Sequence, residues 1–421
     1  MSSSLSLLGG TPVRSKPFPA WPVFGEPEEA RLLRALRSGH WGKLSGKEVG
    51  EFERRFAAMH GAKHGVAVVN GTVSLRLALM ALGIRAEDEV IVPAYTFLAT
   101  ATAVVEANAV PVFADIELDT FNLDPRSMEA AITPRTRAII VVHFAGQPAD
   151  MDAITTIARK HRIAVIEDAA HAHGAGYRDQ PVGSIGSLGS FSFQSSKNLT
   201  CGEGGIITTS DDELAGVCRS LHNCGRTPGG AWYEHHIISG NYRLGEFQGA
   251  VLNAQLDRFE EQVAHRERRG LYLAEKLSQI PGLCMQRRIT ECTRHGYHLF
   301  MFRVDAAKFG AGRDAILEAL VAEGVPVGAG YKLPLYRQPL FLNKAFGPFL
   351  PNASRTLDYA RVHCPNCELL CYEQGAWLEQ RILLGDQSDM DDIEEAFTKV
   401  YANRDALRKW SEKSATPVKM A

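Results

Sequence analysis

Between residues 65 and 210 the chain alternates short apolar runs with segments of helical periodicity. The apolar runs predict strands at 65–69, 89–93, 111–115, 138–143, 163–168, 191–193 and 205–208. Helical patterns follow the earlier strands over 70–82, 97–107, 125–131 and 150–161. Strands and helices that alternate in this way form a mostly parallel sheet sandwiched by helices. The sequence therefore predicts an α/β fold, whose ligands bind at the carboxyl ends of the strands.

The pattern changes beyond residue 244. A long helical segment over 244–279 is followed by shorter elements, namely a strand at 299–304 and helices at 313–323 and 391–401. These elements predict a smaller α+β unit packed against the first. We therefore divide the chain into a large domain of residues 1–265, with the N-terminal segment, and a small C-terminal domain of residues 266–421. The polar end of the chain, residues 411–421, is expected to be frayed.

Charge and hydropathy argue against several classes of protein. The 46 Lys and Arg side chains nearly balance the 48 Asp and Glu side chains, so we expect no basic nucleic-acid-binding surface. The longest apolar stretches, such as 138–142, are far shorter than the ~20 residues that span a bilayer. Residues 1–10 lack the basic start of a signal peptide. We therefore expect neither a nucleic-acid nor a membrane partner.

Eight cysteines in a chain of this length do not form a disulfide framework, so reduced thiols in the cytoplasm are the expectation. Cys364-Pro-Asn-Cys367 has the spacing of half a zinc site, and Cys371 lies beyond it. No second pair follows at zinc-ribbon spacing. We expect buried or incidental thiols here, and no metal.

The turn Asn70-Gly71-Thr72 lies between a predicted buried strand and a predicted helix. Backbone N–H groups at a helix start, together with the Thr72 hydroxyl, suit a phosphate group. The alternative is a plain helix cap. Neither a phosphate loop of the GxxxxGK[ST] type nor the dinucleotide fingerprint occurs in the chain, which disfavours nucleotide-driven chemistry.

Two further residues have charges that a buried position makes costly. Asp168 ends a predicted buried strand, so it requires a cationic partner, either a protonated heterocyclic nitrogen or a structural arginine. Lys197 follows an aromatic strand among small residues and glycines. A desolvated lysine has a lowered pKa and can form a Schiff base, whereas a lysine on a flexible surface loop has no such role. A phosphate cradle, an acid and an amine on one α/β unit together match the requirements of pyridoxal phosphate.

At this point the sequence resembles the DegT/StrS-type pyridoxal-phosphate sugar aminotransferases, which have fold type I. The resemblance covers nearly the whole chain and is carried by Asn70-Gly-Thr72, Asp88-Glu-Val-Ile-Val-Pro93, Thr96-Phe97, Glu167-Asp-Ala-Ala-His171, Ser192-Phe-Gln-x-x-Lys197, Gly202-Glu-Gly-Gly205, Gly240-Asn241-Tyr-Arg243 and Glu246-Phe-Gln248. Two branches are most similar. Leu7-Leu-Gly-Gly-Thr-Pro-Val-Arg14 is similar to glutamine:scyllo-inosose aminotransferases, and Cys224-Gly-Arg226 is similar to aminohydroxybenzoate synthase.

The resemblance implies a role for each matching residue. Lys197 would form the Schiff base with pyridoxal 5'-phosphate and move the substrate proton, and Asp168 would keep the pyridine nitrogen protonated. Phe97 would stack on the ring and His171 would lie beside its phenolic oxygen. The phosphate would be held by Gly71, Thr72 and Ser192. Asn241 would reach the phosphate of the neighbouring subunit, which implies a homodimer with a shared active site.

The activity implied is amino transfer from L-glutamine or L-glutamate to a keto sugar or keto cyclitol, with ping-pong kinetics, in sugar, cyclitol or antibiotic biosynthesis. One alternative is a dehydrating, aromatising lyase on the same site, as in aminohydroxybenzoate synthase; another is a non-catalytic binding protein of this fold. Arg226 and Arg243 are candidates for the donor carboxylate or for structural ion pairs. Tyr331 is a candidate substrate contact, and His235-His236 is expected to be a loop.

Overall fold

The computed structural model describes residues 4–227, 229–350 and 358–414. Its strands are β1 His64–Val68, β2 Glu89–Pro93, β3 Val110–Ala114, β4 Thr136–Val142, β5 Ala164–Asp168, β6 Gly176–Tyr177, β7 Gln180–Pro181, β8 Leu188–Ser192, β9 Gly205–Thr209, β10 Leu283–Met285, β11 Cys292–Arg294, β12 Leu299–Val304, β13 Val327–Gly328 and β14 Gly375–Glu379. Every strand predicted between residues 65 and 210 overlaps one of these strands, which confirms the strand predictions.

The α-helices separate and cover the strands. They are α1 Glu26–Ser38, α2 Glu48–Met59, α3 Gly71–Ala81, α4 Ala99–Glu106, α5 Pro125–Ala130, α6 Met151–His161, α7 Asp212–His222, α8 Glu246–Leu277, α9 Ala306–Phe309, α10 Arg313–Ala322, α11 Pro339–Leu342, α12 Pro365–Leu369, α13 Gln387–Ala402 and α14 Arg404–Ser414. Helices α1, α2, α7, α9, α11, α12 and α14 were not predicted from the sequence. Because α14 continues to Ser414, the predicted fraying is wrong for 411–414, while 415–421 lie outside the described residues.

The large sheet has seven strands in the order β1-β9-β8-β5-β4-β2-β3. Only β9 runs against the other six, because it pairs antiparallel with both β1 and β8. Alternate side chains of each strand enter different cores. In β2, Val90 and Val92 pack with α3, α4 and α7, whereas Ile91 packs on the opposite face with α2 and α6. Both faces are therefore covered, as the predicted α/β class requires.

A second, antiparallel sheet of four strands has the order β10-β12-β14-β13. Its core includes side chains of α10 and α13, and Leu5 and Phe18 from the start of the chain pack there too. Helix α8 connects this core with the first, since Phe259 and Val263 belong to the large unit while Leu273 and Leu277 belong to the small one. The predicted division at residue 265 falls within this helix, and we retain it as a proposal.

No helix within the described ranges combines the length and the apolar character needed to cross a membrane.

Candidate active site

A cavity of about 480 Å³ opens at the carboxyl edge of the large sheet. The predicted site residues that line it are Gly71, Thr72, Phe97, Asp168, His171, Ser192 and Lys197. The C-terminal part of the chain adds His298, Leu299 and Tyr331. The cavity therefore lies where α/β folds bind ligands, and its walls come from both units.

Asp168, the last residue of β5, lies at the base of the cavity with only 5% of its surface exposed. Its Oδ2 accepts a hydrogen bond from the Thr100 hydroxyl at 2.8 Å, and its Oδ1 accepts one from the Ala170 N–H at 3.3 Å. Burial raises the pKa of this carboxyl, and the two hydrogen bonds oppose that effect only in part. A buried acid of this kind is stabilised most by a cation placed against it.

Lys197 lies on the loop that follows β8, and its side chain lines the cavity. Burial lowers the pKa of its amine from 10.5 to about 8, although the nearby charge of Asp168 acts in the opposite direction. Its backbone N–H donates to the carbonyl of Gln194 at 2.9 Å, which fixes the turn from which the side chain projects. Lys197 is half-buried, and its side chain lines the cavity, as the desolvation argument expects, although Ser195 and Ser196 before it are exposed.

The start of α3 presents backbone donors to the cavity. The side chain of Asn70 accepts the N–H of Val73 at 2.9 Å and so caps the helix. The N–H groups of Gly71 and Thr72 have no hydrogen-bond partner within the described chain. Asn70 is therefore a helix cap, and the two following residues keep N–H groups free, so the phosphate-binding role of this turn stays a prediction.

Close packing restricts residue 71 to glycine. A Cβ atom on Gly71 would lie 2.7 Å from the Cβ of Ser192, at the end of β8. On the other side of the turn, a Cβ atom on Gly205 would lie 2.5 Å from the carbonyl of Asn70. The two glycines let the helix start approach the sheet edge, so that the free N–H groups and the Ser192 hydroxyl border the same space.

Aromatic and imidazole rings form a further part of the cavity wall. Phe97 keeps 58% of its surface exposed although it lines the cavity, so it offers a free apolar face. His171 is buried, its Nδ1 has no partner among the described residues, and its ring centroid lies 4.3 Å from that of His298. Tyr331, a predicted substrate contact, packs against Tyr95 with ring centroids 5.4 Å apart.

His298 and Thr100 were not identified from the sequence. Each lies far along the chain from the residue that it contacts, so no sequence motif contains both partners. For Thr100 one signal was available, because it is a polar residue in the first turn of a helix that follows a parallel strand.

Glu167, which precedes Asp168, faces the opposite side of the sheet. It accepts hydrogen bonds from His143 Nε2 at 3.0 Å and from the N–H groups of Gly183, Ile185 and Gly186 at 2.7 Å each. Burial acts against its ionisation, but these hydrogen bonds lower the pKa of its carboxyl overall. Glu167 therefore fixes the loop 183–186 and has no part in the cavity.

Other predicted candidates lie outside the cavity lining. Asn241 is exposed, and its backbone pairs with that of Asn223. Arg243 donates from Nη1 to the side chain of Asn223 at 2.7 Å, and the guanidinium of Arg226 lies 5.5 Å from the centroid of the Trp232 ring. Within this chain both arginines thus have structural contacts.

The candidate metal ligands do not form a group of three, although Cys367 Sγ lies 4.0 Å from Cys371 Sγ. His235 Nδ1 lies 2.8 Å from the carbonyl oxygen of Cys224, in a loop as expected. Cys364, Cys367 and Cys371 are buried free thiols. Across the described ranges, no three His, Cys, Asp or Glu side chains are grouped so that they could hold a metal ion.

Residues 23–374 match the DegT/DnrJ/EryC1/StrS aminotransferase family. The chain is 41% identical over 424 residues to the L-glutamine:2-deoxy-scyllo-inosose aminotransferase of Streptomyces kanamyceticus, a match that covers 96% of this chain and 99% of the relative. It is 39% identical over 375 residues to the 3-amino-5-hydroxybenzoate synthase of Amycolatopsis mediterranei (strain S699), covering 89% and 94% of the two chains.

Among solved structures, a crystal structure of 3-amino-5-hydroxybenzoic acid synthase superposes with a TM-score of 0.84 at 38% identity. That superposition covers 93% of this chain and 100% of the other. The match extends over both sheets, so the predicted fold type I architecture is confirmed along with the α/β class.

Proposed function

The chain belongs to the DegT/DnrJ/EryC1/StrS aminotransferase family, and we propose that it transfers the amino group of L-glutamine to a keto cyclitol with pyridoxal 5'-phosphate as cofactor. One observation carries the proposal. A lysine with a lowered pKa, a buried acid and two free N–H groups at a helix start line a single cavity. The names of the relatives support the choice of donor and acceptor.

The residues of the cavity fit this cofactor. The unpartnered Nδ1 of His171 suits its ring hydroxyl, and the free face of Phe97 suits its flat ring. The N–H groups of Gly71 and Thr72, with the hydroxyl of Ser192, would hold its phosphate. Asp168 would meet its pyridine nitrogen, which supplies the cation that a buried acid requires. When bound, pyridoxal phosphate supplies an electron-withdrawing ring and an aldehyde that combines with amines.

Lys197 has two tasks in this scheme. Because burial brings its pKa to about 8, a useful fraction of the amine is neutral at physiological pH, and this neutral amine would hold the cofactor through its aldehyde. With the donor bound, Nζ of Lys197 would take the proton from the donor Cα and, in the second half-reaction, would return a proton to the acceptor carbon. The donor and the acceptor would thus react one after the other with the help of the same Lys197 amine, which predicts ping-pong kinetics.

A homodimer with a shared active site is also proposed. Trp232, Tyr233 and Ile238 expose 76%, 77% and 95% of their surfaces on the segment just before Asn241. Large apolar side chains that are this exposed on one short segment are typical of a protein–protein contact. A second copy on this surface would bring the exposed Asn241 toward the phosphate end of its neighbour's cavity. The eight free thiols support a cytoplasmic location.

The test is turnover of L-glutamine with a panel of keto cyclitols that includes 2-deoxy-scyllo-inosose, followed by mass spectrometry of the aminated product. We expect the wild-type protein to aminate at least one cyclitol and Lys197→Ala to aminate none. Exchange of L-glutamate for L-glutamine in the same assay identifies the preferred donor. A Lys197→Ala protein that turned over at the wild-type rate would contradict the proposal.

The lyase alternative is tested in the same preparation. An aminodehydroshikimate-type substrate would yield an aromatic product, visible by its ultraviolet absorbance, only if the chain dehydrates it as 3-amino-5-hydroxybenzoate synthase would. An aromatic product without any aminated cyclitol would replace the proposed function with that alternative.

A further inference from the structure

His298, the residue before β12, contributes a wall of the cavity that the scheme above leaves without a task. Only 6% of its surface is exposed, so its ring is held in one place by its surroundings. It comes from the small unit and faces Lys197 and His171, which come from the large unit.

The hydrogen bonds around His298 fix which ring nitrogen carries the proton. The side-chain N–H of Asn198 donates to the carbonyl of Gly296 at 2.7 Å. Because a carbonyl only accepts, this contact sets the orientation of the amide and turns its oxygen toward His298. That oxygen lies 3.1 Å from Nδ1. An amide oxygen also only accepts, so Nδ1 must be the protonated nitrogen.

Nε2 is consequently left with a lone pair. It makes no hydrogen bond within the described residues, and the ring to which it belongs borders the cavity. Burial, together with the positive charge of Lys197, lowers the pKa of His298 well below its ordinary value, so the ring stays neutral. The cavity thus contains a fixed, uncharged hydrogen-bond acceptor.

We propose that Nε2 of His298 accepts a hydrogen bond from a hydroxyl group of the keto acceptor and so selects polyhydroxylated cyclic substrates. This inference rests on the proposed function. A hydroxyl group donates to such a nitrogen, whereas a carboxylate at the same position has no proton to donate and would leave both groups unpaired. His298 therefore favours a cyclitol over an acid as the second substrate.

The experiment uses the holoenzyme and measures the two half-reactions separately by stopped-flow absorbance of the cofactor. His298→Phe keeps a planar ring and removes the acceptor, while His298→Gln supplies an amide oxygen in its place. With His298→Phe we expect the KM for the keto cyclitol to rise about 10-fold, with a smaller rise for His298→Gln. The KM for glutamine should change less than twofold. His161→Phe, on α6 and outside the cavity lining, is the matched control.

Deoxy analogues of the keto cyclitol, each lacking one hydroxyl group, identify the contact. One analogue should bind the wild-type enzyme about 10-fold more weakly than the parent, yet bind His298→Phe as well as the parent does. The inference would be overturned if His298→Phe still discriminated between the parent cyclitol and that analogue as the wild-type enzyme does. It would also be overturned if His298→Phe slowed both half-reactions equally, or if it weakened only the binding of the cofactor. Absence of wild-type turnover would refute the proposed function as well, so the two failures are distinguishable. If His298→Phe fails to fold, the same comparison with His298→Gln decides.

Discussion

The amine of Lys197 should titrate far from the range of ordinary lysines, because burial lowers its pKa from 10.5 to about 8. At pH 7 an amine with a pKa of 8 is neutral in about one molecule in eleven, and one with a pKa of 10.5 in about one in three thousand. The neutral form is the nucleophile. The neutral fraction of Lys197 at pH 7 should therefore be about 300 times that of a lysine with a pKa of 10.5, so Lys197 should be acylated faster than the exposed lysines.

The assay is competitive labelling of the protein stripped of cofactor. A trace of an acylating reagent is applied across a pH series, and the extent of labelling at each lysine is obtained by peptide mapping. The labelling of Lys197 should have its midpoint near pH 8. Asp168→Asn removes the charge that raises the pKa of Lys197, so the midpoint should move to lower pH. Asp405→Asn, on the surface helix α14, should leave it unchanged.

Two results would refute this reasoning. A midpoint near pH 10 would mean that the Lys197 amine is solvated and that burial does not control it. A midpoint that moved to higher pH in Asp168→Asn would mean that the carboxyl does not act on the amine as an anion.

Gly71→Ala should lower the affinity for pyridoxal phosphate at least 10-fold in a fluorescence titration, because the new Cβ would lie 2.7 Å from the Cβ of Ser192. Gly216→Ala is the control: its Cβ would have no atom within 4 Å, so the affinity should not change. Glu167→Gln should cost about 3 kcal/mol in denaturant unfolding at pH 7. The pKa of Glu167 in the folded protein is below its ordinary 4.5. The stabilisation is therefore present above pH 4.5 and is lost as the pH falls through the folded-state pKa. The free energies of unfolding of the two proteins should then converge in acid. Ile238→Asp should shift the proposed dimer toward monomer in sedimentation velocity, because a charge would replace a side chain that is 95% exposed.

The parts of the fold that local pattern controls could be predicted from the sequence. Strands such as β2 are continuous apolar runs because both faces of the sheet are covered, and that pattern needs no knowledge of the partner strands. Parallel strands end at the same edge of a sheet, so this topology alone predicts that the residues at the ends of the strands or just after them, Gly71 and Asp168 among them, lie together at the carboxyl edge. This is why they line a common cavity.

The rest of the site depends on contacts between distant parts of the chain. His298 meets Asn198 across 100 residues, and Thr100 meets Asp168 across 68. Nothing near either residue in the sequence signals its partner. Helices α1 and α2 lack a Ser, Thr, Asp or Asn cap, because Gly25 and Lys47 occupy the cap positions. The proline and the acidic residues in the first turn of α1 were the available signal for that helix.

The continuity of α8 has a thermodynamic consequence for the whole molecule. Its 32 residues carry Phe259 and Val263 into one core and Leu273 and Leu277 into the other. If either core melted, the turns of α8 that belong to it would unwind. The remaining turns, which the other core requires, would then be less stable, because helix formation is cooperative. The two cores are thus energetically coupled along a shared backbone, and heat would be absorbed in one joint transition, although the architecture divides into two units.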